Sequence, residues 1–272
     1  MKVSPRPLLV LHPSRPFLDR LARAAEQRFA LQILEDWEAL FEGVGQAPPA
    51  AIVLVDPYLG RSNGGGPAPE LYALLRSFPS ATVVAALEVP PGGYRDLWTL
   101  GEWGVAEIIQ MDEDTSGSAL RRRLLSARGQ PLRVLLSQEL PFPLTGRART
   151  ILDAAVETVM TGGHPRDLAK TLSFSPSTLL RWCGRSQLPT PRRLLLWMRV
   201  LFAAALLDDP GHSVFSVGLA CGYSGDQALR RALRSVVPHT PTELRRKGAF
   251  ATVSQAFIEE LASRRDESAE KR

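Results

Sequence analysis

The stretch from Gly222 to Arg245 has the sequence GYSGDQALRRALRSVVPHTPTELR and decides how the second half of the chain is interpreted. Its first residues, Gly222 to Ser224, interrupt the chain after a small apolar helix, and a helical period resumes behind them. The apolar face of the resumed helix consists of Leu229, Leu233 and Val236. Its opposite face is polar and mostly basic: Asp226, Gln227, Arg230, Arg231 and Arg234. Arginine and glutamine pair with guanine and adenine edges in the DNA major groove, so this face predicts base contacts.

The residues after this helix predict one more helix. Pro238 breaks the chain, and the T-P-x-E pattern that begins at Thr240 is a capping box. The whole stretch therefore predicts a helix, a turn and a basic helix. Its spacing, from G-Y-S through T-P-x-E-x-R, resembles the C-terminal signature of AraC-type transcriptional regulators. It departs from that family at Leu229 and Leu233, where an aromatic residue is usual, and at Pro238, where glycine is usual.

The chain upstream of this stretch predicts four further helices. They are Arg147 to Met160, Arg166 to Leu172, Pro176 to Ser186, and Thr190 to Asp209. About 20 residues at roughly 1.5 Å each make the last of these about 30 Å long, close to the roughly 34 Å between successive major-groove faces. The region from Arg147 to Lys247 resembles the two-headed AraC-type DNA-binding domain. The resemblance implies two helix-turn-helix units in adjacent major grooves.

That resemblance also implies which positions of each recognition helix face the bases. They are Ser177, Leu180 and Arg181 in the first helix and Asp226, Gln227, Arg230 and Arg231 in the second. Arg181 and Arg231 are the expected guanine contacts and Gln227 is the expected adenine contact, whereas Leu180 can touch only a thymine methyl group. Phosphate contacts are expected from Arg185, Arg234 and Arg245. The alternative for each arginine is a solvated helix face.

The first half of the chain alternates short apolar runs with helical periods. The expected strands are Pro7 to Leu11, Ala30 to Leu34, Ala51 to Val55, Thr82 to Leu87 and Ala106 to Met111. The expected helices are Arg15 to Arg28, Trp37 to Glu42, Pro69 to Ser77, Gly93 to Gly104 and Ser118 to Ala127. Strict alternation favours a doubly wound parallel sheet covered by helices on both faces, a flavodoxin-like α/β domain ahead of an all-helical one. Strand ends, including Asp56, then lie at the edge where such sheets form their sites.

Residues 5–128 resemble, in their topology, the receiver domain of bacterial two-component signalling. The resemblance makes Asp56 the candidate phosphoacceptor. Receivers hold Mg²⁺ with an acidic pair after the first strand, where this chain has His12 and Pro13. It also has Ala86 and Leu87 in place of the expected Ser or Thr, and Met111 in place of a Lys. A phosphoaspartate site needs a cation in an oxygen cage, so Asp56 is expected instead to cap the turn at Asp56-Pro57, and His12 to be a turn or edge residue.

Composition and charge place the binding function in the second half. The chain has 272 residues, enough for two domains, with 44% hydrophobic and 22% charged residues. Residues 141–250 hold 15 Lys or Arg against 7 Asp or Glu, a formal net charge of +8, while the whole chain carries +5. Positive charge gathered in one domain is the pattern expected for contact with a phosphate backbone. No apolar run spans a membrane and no secretory signal is present, so we expect a cytoplasmic protein.

The remaining features predict free cysteines, two loops and a surface for self-association. Cys183 and Cys221 stand apart from other ligand residues and are expected to be buried free thiols. The glycine-rich loop 61–69 is interpreted as a flexible insertion and the acidic run 112–114 as a solvated loop. Three aromatic residues on or beside the fourth helix are the candidates for self-association: Tyr94, Trp98 and Trp103. No nucleophile and base pair or metal-ligand cluster is identifiable, so we expect no enzyme, metal or cofactor.

The expected domains are a receiver-like domain over 1–128, a proline-rich linker over 129–146, an AraC-like DNA-binding domain over 147–248, and a C-terminal helix with a charged, fraying tail over 249–272. Within the linker, Leu132 to Leu136 is assigned to an added strand or a segment packed on the sheet. These domains predict a sequence-specific transcriptional regulator, controlled by a pseudo-receiver without phosphorylation. The expected partners are double-stranded DNA, a second copy through the receiver-like domain, and RNA polymerase. Two alternatives stay open, a response regulator phosphorylated at Asp56 and an interaction adaptor that binds DNA only non-specifically.

Overall fold

A computed structural model describes residues 6–26, 29–60, 66–89, 93–111, 116–140 and 144–270. The chain divides into two compact units. The first unit comprises Met1–Pro131 with Asp209–Gly211, and the second comprises Leu132–Asp208 with His212–Arg272. The glycine-rich loop at 61–65 and the acidic run at 112–114, for which the sequence makes predictions, lie outside the described residues.

The first unit is a parallel sheet covered by helices on both faces. Its strands are β1 (Arg6–Leu11), β2 (Phe29–Ile33), β3 (Ile52–Val55), β4 (Thr82–Leu87) and β5 (Glu107–Gln110). Its helices are α1 (Arg15–Ala25), α2 (Trp37–Gln46), α3 (Pro69–Ser77), α4 (Tyr94–Trp103) and α5 (Gly117–Ala127). The strands pair in parallel in the order β2-β1-β3-β4-β5. This architecture confirms the doubly wound α/β fold.

Alternating side chains of the strands build a separate core on each face of the sheet. One core joins the even-numbered residues of β1, β3 and β4, such as Leu8, Ile52 and Val84, to helices α1 and α5. The other joins the odd-numbered residues, such as Leu9 and Val53, to α2, α3 and α4. Both faces are buried, which is why these strands are continuously apolar rather than alternating. The strand order reverses between β1 and β3, so the crevice outside their carboxyl ends lies beside His12 and Asp56.

Helix α2 extends to Gln46, beyond the predicted end at Glu42. Glycines at 43 and 45 lie within the helix, and Gly43 faces β1 at close range. A Cβ atom on Gly43 would lie 2.9 Å from Leu9 Cδ2. The absence of a side chain therefore lets the helix pack closely on the sheet.

Residues 129–146 contain a helix where the sequence predicts a linker and an added strand. Helix α6 runs over Gln130–Glu139 and buries Leu132 and Leu136, which are one helical turn apart. Pro131 stands in its first turn, where a missing backbone N–H leaves no hydrogen bond unmade. The proline therefore starts a helix instead of preventing one, and the interpretation as an irregular linker or strand is corrected.

The second unit consists of helices. After α6 they are α7 (Gly146–Met160), α8 (Pro165–Thr171), α9 (Pro176–Arg185), α10 (Pro191–Asp208), α11 (Val214–Ala220), α12 (Asp226–Arg234), α13 (Pro241–Lys247) and α14 (Ala249–Glu270). The buried central helix α10 packs against α7, α8, α9, α11, α12, α13 and α14. The predicted fraying of the C-terminal tail is wrong for the backbone, because α14 continues as a helix to Glu270.

Within the residues described, no helix combines the length and the apolar character that crossing a membrane would require. Both cysteines are free and buried, as predicted. Burial raises the pKa of the Cys183 thiol to about 11, so at neutral pH the thiol is protonated and packs as an apolar group.

Candidate nucleic-acid interface

The first helix-turn-helix consists of α8 and α9. Ser173, in the turn between the helices, has a positive φ of 55°, and Phe174 N–H donates to the Ala169 carbonyl at 2.8 Å. Ser175 then caps α9, because its hydroxyl accepts a hydrogen bond from Thr178 N–H at 3.1 Å. Pro176 occupies the first helical position, where proline is favoured. These local signals position the start of α9 as the sequence predicts.

Helix α9 presents the predicted recognition residues on its outer face. Leu179 and Cys183 are buried against the unit. The exposed side chains are Ser177, Leu180, Arg181 and Arg185. Leu180 is 52% exposed. Contact between these residues and DNA stays a prediction.

Trp182 of α9 lies close to two guanidinium groups, an arrangement that the sequence does not predict. Arg147 of α7 places its Cζ atom 3.6 Å from the centre of the Trp182 ring, and Arg185 lies at 5.2 Å. The tryptophan is partly exposed at the surface of α9. Arg147 and Trp182 are 35 positions apart in the sequence, so only the packing of α7 brings the cation to the recognition helix.

The second helix-turn-helix consists of α11 and α12, joined by glycines. Gly222 has a φ of +79°, and Tyr223 N–H donates to the Gly218 carbonyl at 2.9 Å, the pattern of a helix C-terminus that ends in a left-handed residue. The two helices approach closely at Gly218, where a Cβ atom would lie 3.0 Å from the Gly225 carbonyl oxygen. The G-Y-S-G segment therefore sets both the turn and the close contact of the helices.

Helix α12 has the two faces that its sequence predicts. Leu229 and Leu233 are fully buried. Exposed side chains on the outer face are Gln227, Arg231 and Arg234. Asp226 and Arg230 are partly buried and form an ion pair along the helix, with 3.4 Å between Arg230 Nε and Asp226 Oδ2. Part of the charge of Arg230 is therefore already neutralised before any ligand binds.

The observed end of α12 corrects the predicted burial of Val236. The sequence predicts that Val236 continues the buried face, but α12 ends at Arg234 and Ser235 is its C-terminal cap. Because the helical period stops there, Val236 is only partly buried and Val237 is the buried residue, with 3% exposure.

Helix α13 begins with the predicted capping box. Thr240 N–H donates to Glu243 Oε2 at 2.7 Å, and Glu243 N–H donates to the Thr240 hydroxyl at 3.3 Å. Hydrogen bonds from the backbone and hydroxyl of Thr240 hold the pKa of Glu243 below its ordinary value.

Arg245, on the same helix, has a structural role that its sequence position does not indicate. Its Nε donates to the Leu207 carbonyl at 3.1 Å, and its Nη2 donates to the His212 carbonyl. The side chain thus satisfies the Leu207 carbonyl in the last turn of α10 and the His212 carbonyl in the segment that follows the helix. The phosphate contact stays a prediction, but these two donors already have protein partners.

The edge of the sheet in the first unit brings His12 close to Asp56. Asp56 Oδ1 accepts a hydrogen bond from Tyr58 N–H at 2.9 Å, which confirms the predicted turn cap. His12 is buried, with 7% exposure, and its ring lies 4.6 Å from Phe17. His12 follows β1 directly, in the turn or edge position that the sequence predicts, and it is buried because α1 folds back over it.

These residues do not fit a Mg²⁺ cage, which requires several hard oxygen ligands. No cluster of three potential ligand side chains exists in the described part of the chain. Burial, the largest effect, lowers the pKa of His12, and the charge of Asp56 and a hydrogen bond with the Ala86 backbone counteract only part of this shift. The imidazole is therefore neutral at pH 7 and supplies no positive charge beside Asp56.

Comparison with known proteins covers both units. Full-length FixJ from B. japonicum is 12% identical over 85% of this chain and 97% of its own, with a TM-score of 0.35. The RcsB response regulator of Salmonella typhimurium is 13% identical over 71% of this chain and 98% of its own, with a TM-score of 0.30. No curated protein matches the chain.

One family model matches the second unit, under the description "Helix-turn-helix domain", over residues 168–247. The matched segment starts in α8 and ends with α13, so it contains both helix pairs, the connecting helix α10 and the exposed faces of α9 and α12. Residues 168–247 of this chain are therefore a helix-turn-helix domain of the AraC type.

Proposed function

We propose that this chain is a sequence-specific DNA-binding transcriptional regulator whose recognition helices α9 and α12 enter adjacent major grooves. The observation that carries the proposal is the outer face of α12. Gln227, Arg231 and Arg234 are exposed there, while Leu229 and Leu233 hold the opposite face in the core. Exposed arginine and glutamine on a rigid helix match the donor and acceptor pattern of guanine and adenine edges.

The connecting helix α10 supports a two-groove arrangement. It packs against both α9 and α12, and its 18 residues make it about 27 Å long. Thirteen of those residues are buried, which makes α10 a rigid spacer. A spacer of this length suits recognition helices that occupy grooves about 34 Å apart.

The two recognition helices differ in what they offer to DNA. The exposed face of α9 carries a serine, a leucine and two arginines, whereas α12 offers a glutamine and two exposed arginines. We therefore assign base-specific hydrogen bonds mainly to α12, through Gln227 and Arg231. In α9, Arg181 supplies the guanine contact and Leu180 packs against a thymine methyl group.

Selection of bound sequences from a random duplex library by the full-length protein tests this function. We expect two short conserved blocks about one helical turn apart. Arg231→Ala should relax the preference at one position of one block. Arg76→Ala removes the same charge from an exposed site on α3 and serves as the matched control. Recovery of no motif, with binding that follows only the salt concentration, would favour the adaptor.

The proposal includes control by the first unit without phosphorylation. No cluster of potential cation ligands lies at Asp56 among the residues that the structure describes. The Asp56 carboxylate caps the Tyr58 N–H, and its neighbour His12 is neutral at pH 7. Developing charge on a transferred phosphoryl group would therefore go unneutralised. The test is Mg²⁺-dependent labelling of the full chain by acetyl phosphate, with Asp56→Asn as the control. Labelling that depends on Asp56 would establish the phosphorylated response regulator instead.

Self-association through α4 is the proposed mode of control. Tyr94 and Trp98 are 78% and 72% exposed, and the nearby rings of Tyr72 and Trp103 lie 5.3 Å apart. Exposed aromatic residues of this size are typical of protein interfaces. Trp98→Ala should shift sedimentation of the full chain towards the monomer.

RNA polymerase is the remaining proposed partner, and transcription from the selected duplex in vitro, with and without the protein, tests it.

A further inference from the structure

The C-terminal helix α14 lies beyond the matched segment 168–247 and is nevertheless part of the core of the second unit. Val253, Phe257 and Leu261 are each at most 2% exposed. The Phe257 ring lies 5.3 Å from the ring of Trp197 in α10. This packing brings α14 alongside the helix that connects the two recognition helices.

One carboxylate on α14 accepts hydrogen bonds from side chains of α10 and of α14 itself. Glu260 Oε2 accepts from Arg193 Nε at 3.0 Å, from Arg193 Nη2 at 2.8 Å and from Trp197 Nε1 at 2.8 Å. Glu260 Oε1 accepts from Arg264 Nη2 at 3.3 Å. Burial, the largest single effect, raises the pKa of Glu260, but the hydrogen bonds and the charges of Arg193 and Arg264 together outweigh it and hold the pKa below its ordinary value.

Arg193 also reaches the end of the second recognition helix, α12. Arg193 Nη1 donates to the Ser235 carbonyl at 3.3 Å. Ser235 is the C-terminal cap of α12, where carbonyl groups lack helical partners and carry partial negative charge. A single planar guanidinium therefore joins α14, through two of its donors, to the end of α12, through a third.

We propose that Glu260 is a positioning residue for DNA recognition: it orients the Arg193 guanidinium so that the guanidinium holds the C-terminal end of α12. The inference rests on the proposed function, since it concerns how α12 presents its outer face. Arg231 and Arg234 lie in the last turn of α12, next to the carbonyl that Arg193 caps. Loss of the cap loosens the turn that carries these two side chains.

The sign of the effect separates this role from simple electrostatics. A carboxylate in a DNA-binding unit repels phosphate, so its neutralisation should strengthen binding if charge alone matters. Positioning predicts the opposite result, which is weaker binding and lower discrimination at the block that α12 reads.

The experiment compares Glu260→Gln with Glu259→Gln in the full chain. Both changes remove one negative charge from α14, but Glu259 is exposed and accepts from the exposed Gln255 amide, at 3.1 Å. Binding is measured to the selected duplex and to duplexes substituted in one block or the other. For Glu260→Gln we expect about tenfold weaker binding, the fold-change of one lost hydrogen bond to a charged group, and reduced discrimination at the α12 block only. Glu259→Gln should show no loss.

Arg193→Lys provides a second route to the same conclusion. Lysine keeps the charge but cannot direct three donors in a fixed plane to Glu260 and Ser235. It should weaken the same block, and the double variant should be no worse than either single variant, because both act through one contact. Additive losses would overturn the proposal, and so would equal losses at both blocks in either variant.

The outcomes also distinguish the inference from the proposed function. Failure of the wild-type chain to select a two-block motif would contradict the proposed function itself. A wild-type motif that Glu260→Gln reads with unchanged or higher affinity and unchanged discrimination at both blocks would overturn only the positioning role.

Discussion

Asp208, the last residue of α10, caps the helix that begins at Ala249. Its Oδ1 accepts from Ala249 N–H at 2.6 Å, and its Oδ2 accepts from Phe250 N–H at 2.8 Å. The residue before α14 is Gly248, which has no side chain to cap these groups. The first turn of α14 therefore depends on a carboxylate 41 positions earlier in the sequence.

Asp208→Ala should destabilise the second unit by about 1–2 kcal/mol, because it removes a charged helix cap. Hydrogen exchange of the amides at 249–252 should rise more than that of other amides of the unit. Asp153→Asn is the control, since the Asp153 carboxylate forms a half-exposed 3.6 Å ion pair with Arg133 and its loss should change stability by less than about 1 kcal/mol. Unchanged exchange at Ala249 and Phe250 would contradict the cap.

Gly222→Ala should destabilise the second unit by about 1 kcal/mol, because an alanine is strained at a φ of +79°. Crowding plays no part, since a Cβ atom at this position meets nothing within 4 Å. Gly184 is the matched control. A Cβ atom added at Gly184 would also meet nothing within 4 Å, and the residue lies within α9. Gly184→Ala should therefore stabilise the unit by about 0.5–1 kcal/mol. Urea denaturation of both variants measures the difference, and shifts of equal sign would be inconsistent with this account.

Arg234→Ala and Arg245→Ala should have different consequences although both remove an exposed-face arginine of the second unit. Arg234 is expected to contact phosphate, so its loss should weaken binding to all duplexes and reduce the slope of log K against log salt by about 1. Arg245 is bonded to the Leu207 and His212 carbonyls, so its loss should lower the thermal stability and leave the salt slope nearly unchanged. Titrations at several salt concentrations separate the two, and a lower slope for Arg245→Ala would restore its predicted phosphate contact.

Acidification should weaken the second unit through Glu260. Its folded-state pKa is lowered, so the stabilisation is fully present above the ordinary glutamate pKa of about 4.3 and is lost as the pH falls through the folded value. The difference in unfolding free energy between wild type and Glu260→Gln should therefore be largest near pH 7 and should shrink as the pH falls below about 4.3. The exposed Glu259→Gln variant should show a much smaller pH-dependent difference. A difference that is constant from pH 7 to pH 3 would rule out this linkage.

Much of the fold is predictable because the signals are local. Five apolar runs alternating with helical periods predict the parallel sheet, whose strands appear within one or two residues of their expected positions. The capping box of Thr240 and Glu243, the serine cap of α9 and the glycine turn at Gly222 join residues within five positions of one another. Such bonds form within one turn, so a residue pattern is enough to predict them.

The exceptions have physical causes of their own. Pro131 belongs to the predicted proline-rich linker, but its position in the first turn of α6 makes it compatible with a helix. His12 follows a strand, and only the return of α1 over the sheet edge buries it. In both cases the residue type allows two structures, and packing selects one.

The sequence by itself determined the two-unit composition of the protein, the parallel sheet, and the outer faces of α9 and α12, because each depends on the period of apolar residues along one element. The tertiary structure alone decided that Arg147 stacks on Trp182, that Arg245 bonds to α10, and that Glu260 and Arg193 join α14 to α12. Arg193 and Glu260 are 67 positions apart. Their meeting depends on how whole helices pack, and a long charged side chain is compatible with solvent, DNA or protein until that packing places a partner beside it.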